Sequence, residues 1–201
     1  MYTNQGNKMK INFGKELPPL QGDGKYLVTS DLHFFHKNIL TFCPKTRPWE
    51  DKDAMTEGLI DEWNKSVNPD DVVFHLGDFS FAGAQRTKSV ISRLNGEIIW
   101  LLGNHDKTIR NQIKSDNKFE YLEVKYKNKK ICMMHYPILC WNQMSRGVYH
   151  LHGHMHGADT CRPIGGYPVL DVGWDAQGHI LTLHEAITIC DDNVEWESLY
   201  L

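Results

Sequence analysis

The sequence has no run of 18 apolar residues, so no part of it reads as a membrane-spanning helix. Its first residues, Met1 to Lys15, are polar and lack the apolar stretch of a secretory signal. The five cysteines (Cys43, Cys132, Cys140, Cys161, Cys190) contain no C-x-x-C pair and no short-loop spacing, which argues against a disulfide framework and fits a reducing compartment. A basic surplus is missing too. Lys and Arg number 22 against 25 Asp and Glu, leaving −3, whereas binders of a phosphate backbone generally carry positive excess. Duplex nucleic acid and membranes are therefore not expected partners, and a cytoplasmic protein is the expected class. There is no internal repeat, low-complexity tract or linker, and 201 residues with 41% hydrophobic character suit one domain with a sizeable core. What is abundant is histidine, at 11 residues.

Residues 1–24 are rich in Gly, Asn and Pro and read as a lead-in with a short strand at Met9 to Phe13; Met1 and Met9 are both candidate starts. Residues 25–201 read as the domain itself. Apolar runs predict strands at Tyr26 to Ser30, Val72 to Leu76 and Glu97 to Leu102, alternating with helical patterns. Those patterns fall at Asn38 to Phe42, at Asp53 to Val67 with Met55, Leu59 and Trp63 on one face, and at Gln85 to Leu94. This alternation predicts an α/β fold. Beyond Asp106 strands follow one another directly: a hairpin of Glu120 to Tyr126 and Lys129 to Met134 around Lys127-Asn128, then Tyr149 to His152 and Val169 to Val172. Thr182-Leu-His-Glu185 reads as a capping box that opens a last short helix through Ile189.

Five of these strands run directly into polar clusters: Asp31-Leu-His33, Gly77-Asp78, Gly103-Asn104-His105-Asp106, His135 and Gly153-His154-Met-His156. Ligand crevices of open α/β sheets lie at the carboxyl ends of strands, so the clusters are expected to converge. Carboxylate, carboxamide and imidazole donors without thiolate suit Mn, Fe, Ni or Zn, and a structural zinc site would recruit cysteine. Seven donors exceed what one ion needs and match a pair of divalent metal ions roughly 3.5–4 Å apart. Taken singly, each histidine reads as a packed core or surface residue.

In order, these five clusters resemble the motif blocks of the calcineurin-like metallophosphoesterase superfamily, over about Lys25 to Gly178. The likeness is greatest to short bacterial and phage members without a cap domain. It implies two mixed β-sheets packed face to face as a sandwich and flanked by helices. It also implies that one metal takes Asp31, His33, Asp78 and His156, and the other Asp78, Asn104, His135 and His154, with Asp78 as the bridge. By the same resemblance a metal-bridging hydroxide attacks phosphorus in a small phosphodiester or phosphomonoester. His105 assists the leaving oxygen and Asp106 orients the His105 imidazole. After Gly77-Asp78 the chain reads Phe79-Ser-Phe-Ala-Gly83, and Asp106 stands where protein phosphatases of the superfamily have Glu. Both departures argue against a protein phosphatase and favour the small-molecule or diester branch, with a nucleotide-like compound as the expected substrate.

For substrate contacts the candidates are His36, beyond His33, and Trp141, Asn142 and Arg146 in the connection between His135 and His154, which is expected to overhang the metals. Trp141 would stack on a base, and Asn142 or Arg146 would take a phosphate oxygen. Lys37, Arg47 and Arg110 have weaker grounds. His75, His150 and His152 read as structural. Two alternative functions stay open: a non-catalytic metal-binding scaffold, as in a retromer relative of the superfamily, and a minimal single-strand nuclease. Oligomeric state is not fixed by the sequence.

Overall fold

The computed structural model describes residues 11–158 and 166–194. It holds two five-stranded mixed sheets. The first has the order β10-β2-β3-β4-β5, and the second β1-β6-β7-β8-β9. In the first sheet β2 (Tyr26–Thr29), β3 (Val72–His75), β4 (Glu97–Leu101) and β5 (Lys118–Phe119) are parallel, and β10 (Leu181–Thr182) runs antiparallel beside β2. In the second, β6 (Tyr121–Tyr126) and β7 (Lys129–Met134) form the expected hairpin. β8 (Tyr149–His152) and β9 (Val169–Asp171) then continue parallel to β7. The stretch read as a lead-in contributes β1 (Ile11–Glu16), which pairs parallel with β6.

Why the sheets face each other follows from the two-residue alternation of strands. Val28, Phe74, Leu76, Ile99 and Leu101 of the first sheet bury against Leu122, Val124, Ile131, Met133 and Leu151 of the second. The opposite face of the first sheet, with Leu27, Val73 and Trp100, packs on Met55, Leu59 and Trp63 of α2 (Lys52–Ser66) and on Val90 of α3 (Ala84–Ile91). A strand covered on both faces reads as a continuous apolar run, and β3 is buried throughout. Helix α2 starts where Asp51 accepts the N–H groups of Asp53 and Ala54 at 2.9 and 2.8 Å. The short helices are α1 (Ile39–Phe42), α4 (Lys107–Gln112) and α5 (Trp174–Gln177). The capping box of Thr182 and Glu185 opens α6 (Leu183–Asp192), which runs three residues past the expected end. No helix among the described residues is long and apolar enough to cross a membrane. Cys43, Cys132, Cys140 and Cys190 are free thiols, and Cys161 lies outside the described residues.

Candidate metal centre

The carboxyl ends of β2, β3, β4, β7 and β8 meet at one edge of the sandwich. Asp31, His33 and His156 form one group in which ligand atoms all lie within 4.8 Å of one another, and Asp78, His135 and His154 form a second. Asp78 stands between them: its Oδ2 is 3.5 Å from His135 Nε2, 3.9 Å from His33 Nε2 and 4.0 Å from His105 Nε2. Asn104 Oδ1 lies 3.2 Å from His135 Nε2. Asp31, His33, Asp78 and His135 are buried, His156 is half-buried, and Asn104, His105 and His154 reach solvent.

Hydrogen bonds around the imidazoles show what the cluster is fit to hold. His135 Nδ1 donates to the Leu76 carbonyl at 2.8 Å, so the neutral ring presents a bare Nε2 toward two oxygens that are themselves acceptors. His156 Nδ1 donates to Asp175 Oδ2 at 2.7 Å, which turns its Nε2 lone pair toward Asp31 Oδ1. Asp31 Oδ1 and both nitrogens of His33 are buried without any hydrogen-bond partner. Acceptors converging without donors, in a buried place, are the chemistry of a cation site, and orienting partners on the far ring nitrogen are typical of histidines that ligate metal.

The backbone supports the convergence at some cost. Asp31, His33, Asp78, His154 and His156 all have positive φ, between 49° and 72°, and make up five of the eight described non-glycine residues that do. Such strain gathers where side chains must be aimed against local preference. Gly77, at φ +101°, lets the turn after β3 pass so close that a Cβ there would stand 2.5 Å from His135 Nδ1. Gly103 has no room for a side chain because a Cβ would overlap the Asp78 carboxylate.

Burial alone would raise the Asp31 pKa, but the neighbouring His33, His135 and His156 rings hold it well below the usual carboxylate range. Burial lowers His154, and the neighbouring His135 adds to that. His36 is pushed down to about 4 by burial and by the adjacent His33 and His105.

Two partners of the cluster carried little sequence signal. Asp175, on α5, accepts from His156 and also from Arg47 Nε and Nη2 at 3.0 and 2.9 Å. Arg47 is fully buried and also donates to the carbonyls of Leu32 and Asp31 at 2.9 and 2.6 Å, so it positions the β2 loop and is closed to substrate. Tyr136, next to His135, reaches Asn104 Oδ1 at 3.4 Å with its hydroxyl. Arg110 is engaged by Glu120.

Asp175 is held down to about 2: burial would raise it, but hydrogen bonds from His156 and Arg47 and the Arg47 charge outweigh that. A carboxylate depressed in the fold contributes stability above its unfolded pKa of about 3.9 and loses it as pH falls toward the folded value. In His156, burial would lower the pKa, but the Asp175 bond raises it. The share of this pair therefore fades again as pH rises through the raised His156 value. Melts of the metal-free protein are expected to lose stability between about pH 4 and pH 2 more steeply than melts of Asp175→Asn. Parallel curves would show that the pair is not coupled to folding.

Four expectations are corrected. Asp106 does not orient His105. Its buried carboxylate accepts the backbone N–H groups of Asp78, Phe79 and Gly103 at 2.7, 2.9 and 2.8 Å and so clamps the β3 and β4 loops together. Burial raises its pKa, against the lowering effect of these bonds. Trp141 stacks on no ligand: it is buried against Cys132 and Val148 on the outer face of the second sheet, with its indole N–H on the Val148 carbonyl at 2.7 Å. Asn142 gives its amide to Glu123 of β6 at 3.1 Å. Arg146 borders a groove with Lys129, Lys130 and Gln143 beside the β6–β7 hairpin. The 136–148 connection folds back over the sheet because Trp141 and Val148 find apolar cover there; only its first residue, Tyr136, stays at the cluster, with its ring 4.9 Å from those of His135 and His154. His36 does stand at the site, with its ring 5.6 Å from that of His33. His150 and His152 are buried in β8, bonded to the Cys132 and Gly153 carbonyls.

The calcineurin-like phosphoesterase family pattern matches residues 24–196, and the chain belongs to that family of metal-dependent phosphoesterases. The Methanocaldococcus jannaschii protein MJ1445 is 34% identical over 134 residues, covering 66% of this chain and 69% of the relative. The gene 66 protein of a Mycobacterium phage is 23% identical over 193 residues, covering 82% and 94%. The structure of AQ665 from Aquifex aeolicus, a protein of unknown function, shares the fold with a TM-score of 0.65 at 21% identity, over 83% of this chain and 100% of that one.

Proposed function

We propose that this protein is a dinuclear metal-dependent phosphoesterase acting on a small phosphodiester or phosphomonoester. The observation that carries the reading is the convergence of imidazole nitrogens and carboxylate oxygens around Asp78 Oδ2, with Asp31 Oδ1 and both His33 nitrogens buried and without hydrogen-bond partners. Asp31, His33 and His156 would hold one divalent ion, Asn104, His135 and His154 the other, and Asp78 would serve both. Bound there, the ions would supply a hydroxide at neutral pH and offset the charge that grows on the phosphate oxygens.

The chain's own residues set the rest. Asp31, Asp78 and His135 are buried, so their donor atoms are preorganised and lose little conformational freedom on loading. His105 is 45% exposed, its backbone N–H is fixed to Asp78 Oδ1 at 2.9 Å, and its Nε2 stands at the rim of the cluster, 4.0 Å from Asp78 Oδ2. From there it can deliver a proton to a departing alkoxide. Asp106 contributes by holding the two loops that carry Asp78 and Asn104.

Metal-stripped protein reconstituted separately with manganese, nickel, zinc and magnesium should hydrolyse a chromogenic phosphodiester or monoester only when loaded. Metal-independent turnover, or bound metal with no turnover of either ester, would overturn the reading; the latter result would favour a scaffold.

A further inference from the structure

Three large apolar side chains are exposed among the described residues: Phe42 at 69%, Phe81 at 41% and Leu139 at 85%. Two of these belong to one aromatic row at the rim of the metal centre. The Phe81 ring lies 5.3 Å from that of His33, 4.5 Å from His105 and 3.8 Å from His36. The His36 ring in turn lies 6.5 Å from that of Phe42, edge to face. The row therefore begins at an expected metal ligand, passes the proposed proton donor, and ends in a ring that is mostly in water.

The backbone that carries Phe81 is tied to the loops of the metal centre. Its N–H donates to the Phe34 carbonyl at 3.0 Å, Phe34 donates to Phe79 at 2.9 Å, and the neighbouring Ser80 hydroxyl is buried against Thr87. The same bonds tie the β2 loop, which carries His33 and His36, to the β3 loop, which carries Asp78. The ring is thus carried at the rim by the backbone that builds the metal centre. Single exposed apolar residues need no explanation, but a contiguous aromatic surface beside a catalytic cluster is surface that a ligand can cover. Rings reward a flat partner beyond the area they bury.

We infer that Phe81, His36 and Phe42 form the wall on which a flat aromatic part of the substrate lies, which makes aryl or nucleoside phosphates the substrate class in preference to phosphates of aliphatic alcohols or sugars. The inference rests on the phosphoesterase reading and adds its specificity. An aryl ester, with its ring next to the phosphate, would use Phe81; a nucleoside, with a ribose between, would reach on to Phe42.

Non-hydrolysable phosphonates test this by calorimetric titration of the metal-loaded protein. Methylphosphonate, benzylphosphonate and a 5′-phosphonate of adenosine are compared in the wild type, Phe81→Leu and Phe42→Leu. At least one aromatic ligand is expected to bind about tenfold more tightly than methylphosphonate in the wild type, with the gap closing in Phe81→Leu. Closure for the adenosine ligand in Phe42→Leu as well would identify the nucleoside class; retention of a benzyl advantage there would identify the aryl class. Equal affinities in the wild type, or a gap that survives Phe81→Leu, would overturn the inference. If equal affinities accompany metal-dependent turnover of a chromogenic ester, the wall alone is wrong. If no ester is turned over, the phosphoesterase reading falls and the inference falls with it.

Discussion

Asp78→Asn is expected to lower metal-dependent ester hydrolysis by about a thousandfold or more while leaving the fold intact. Asparagine keeps the shape of the side chain, and its carbonyl can still accept the His105 N–H that Asp78 Oδ1 accepts at 2.9 Å. What it loses is the charge at Oδ2, the atom to which His33, His105 and His135 all turn a ring nitrogen. If both ions lean on that oxygen, its neutralisation weakens both, and removing about 4 kcal/mol of transition-state charge stabilisation is worth about a thousandfold in rate. Metal content measured beside activity should fall below two ions per chain. Asn104→Ala, which touches one side only, is expected to reduce occupancy without emptying both sites. Full activity in Asp78→Asn would exclude a shared carboxylate as the centre of the chemistry.

The part of this site that is legible in the sequence is the part carried by strand ends. Asp31, Asp78, Asn104, His135 and His154 each follow an apolar run too short for a helix, and parallel strands bring their carboxyl ends to one edge whatever the loops do. The starts of β2, β3 and β4 are legible in the apolar runs, and each strand ends one residue before its run does, where the loop to the cluster begins. Roles set by side-chain direction are not legible. Asp106 follows His105 directly and looks like its partner, yet three backbone N–H groups claim both of its oxygens. The 136–148 connection joins two ligand loops and so looks like a cover. Its conformation is decided instead by where Trp141 finds apolar contact, and no local pattern encodes that. Phe81 hides for the opposite reason. In a run reading Asp78-Phe-Ser-Phe it resembles its buried neighbour Phe79, and only the fold shows that one ring enters the core while the other faces the metal centre.

Arg47→Met should have the largest effect on stability, a loss of about 3–5 kcal/mol, because it breaks a buried ion pair from one side and leaves the Asp175 carboxylate with only its His156 and Thr46 bonds. The side chain of Arg47 is wholly buried and that of Asp175 nearly so; two N–H bonds from Arg47 hold the carboxylate, and two more hold the Asp31 and Leu32 carbonyls. Methionine fills much of the same volume and answers none of the four. For a chain of this size the loss corresponds to a fall in Tm of about 10 °C or more. Asp175→Asn on the same background should restore part of it by removing the unpaired charge, and the double-mutant cycle measures the coupling. The function follows the same path, since Asp175 is what orients His156. Metal affinity in Arg47→Met is expected to drop about 10–100-fold, with activity returning toward wild type at saturating metal. A phosphate contact, the role that a lone arginine near the site suggests, would behave in the opposite way: a raised KM that no excess of metal corrects. Titrating metal against KM in this one variant therefore separates an arginine that builds the centre from one that binds the substrate, and the burial of Arg47 predicts the first.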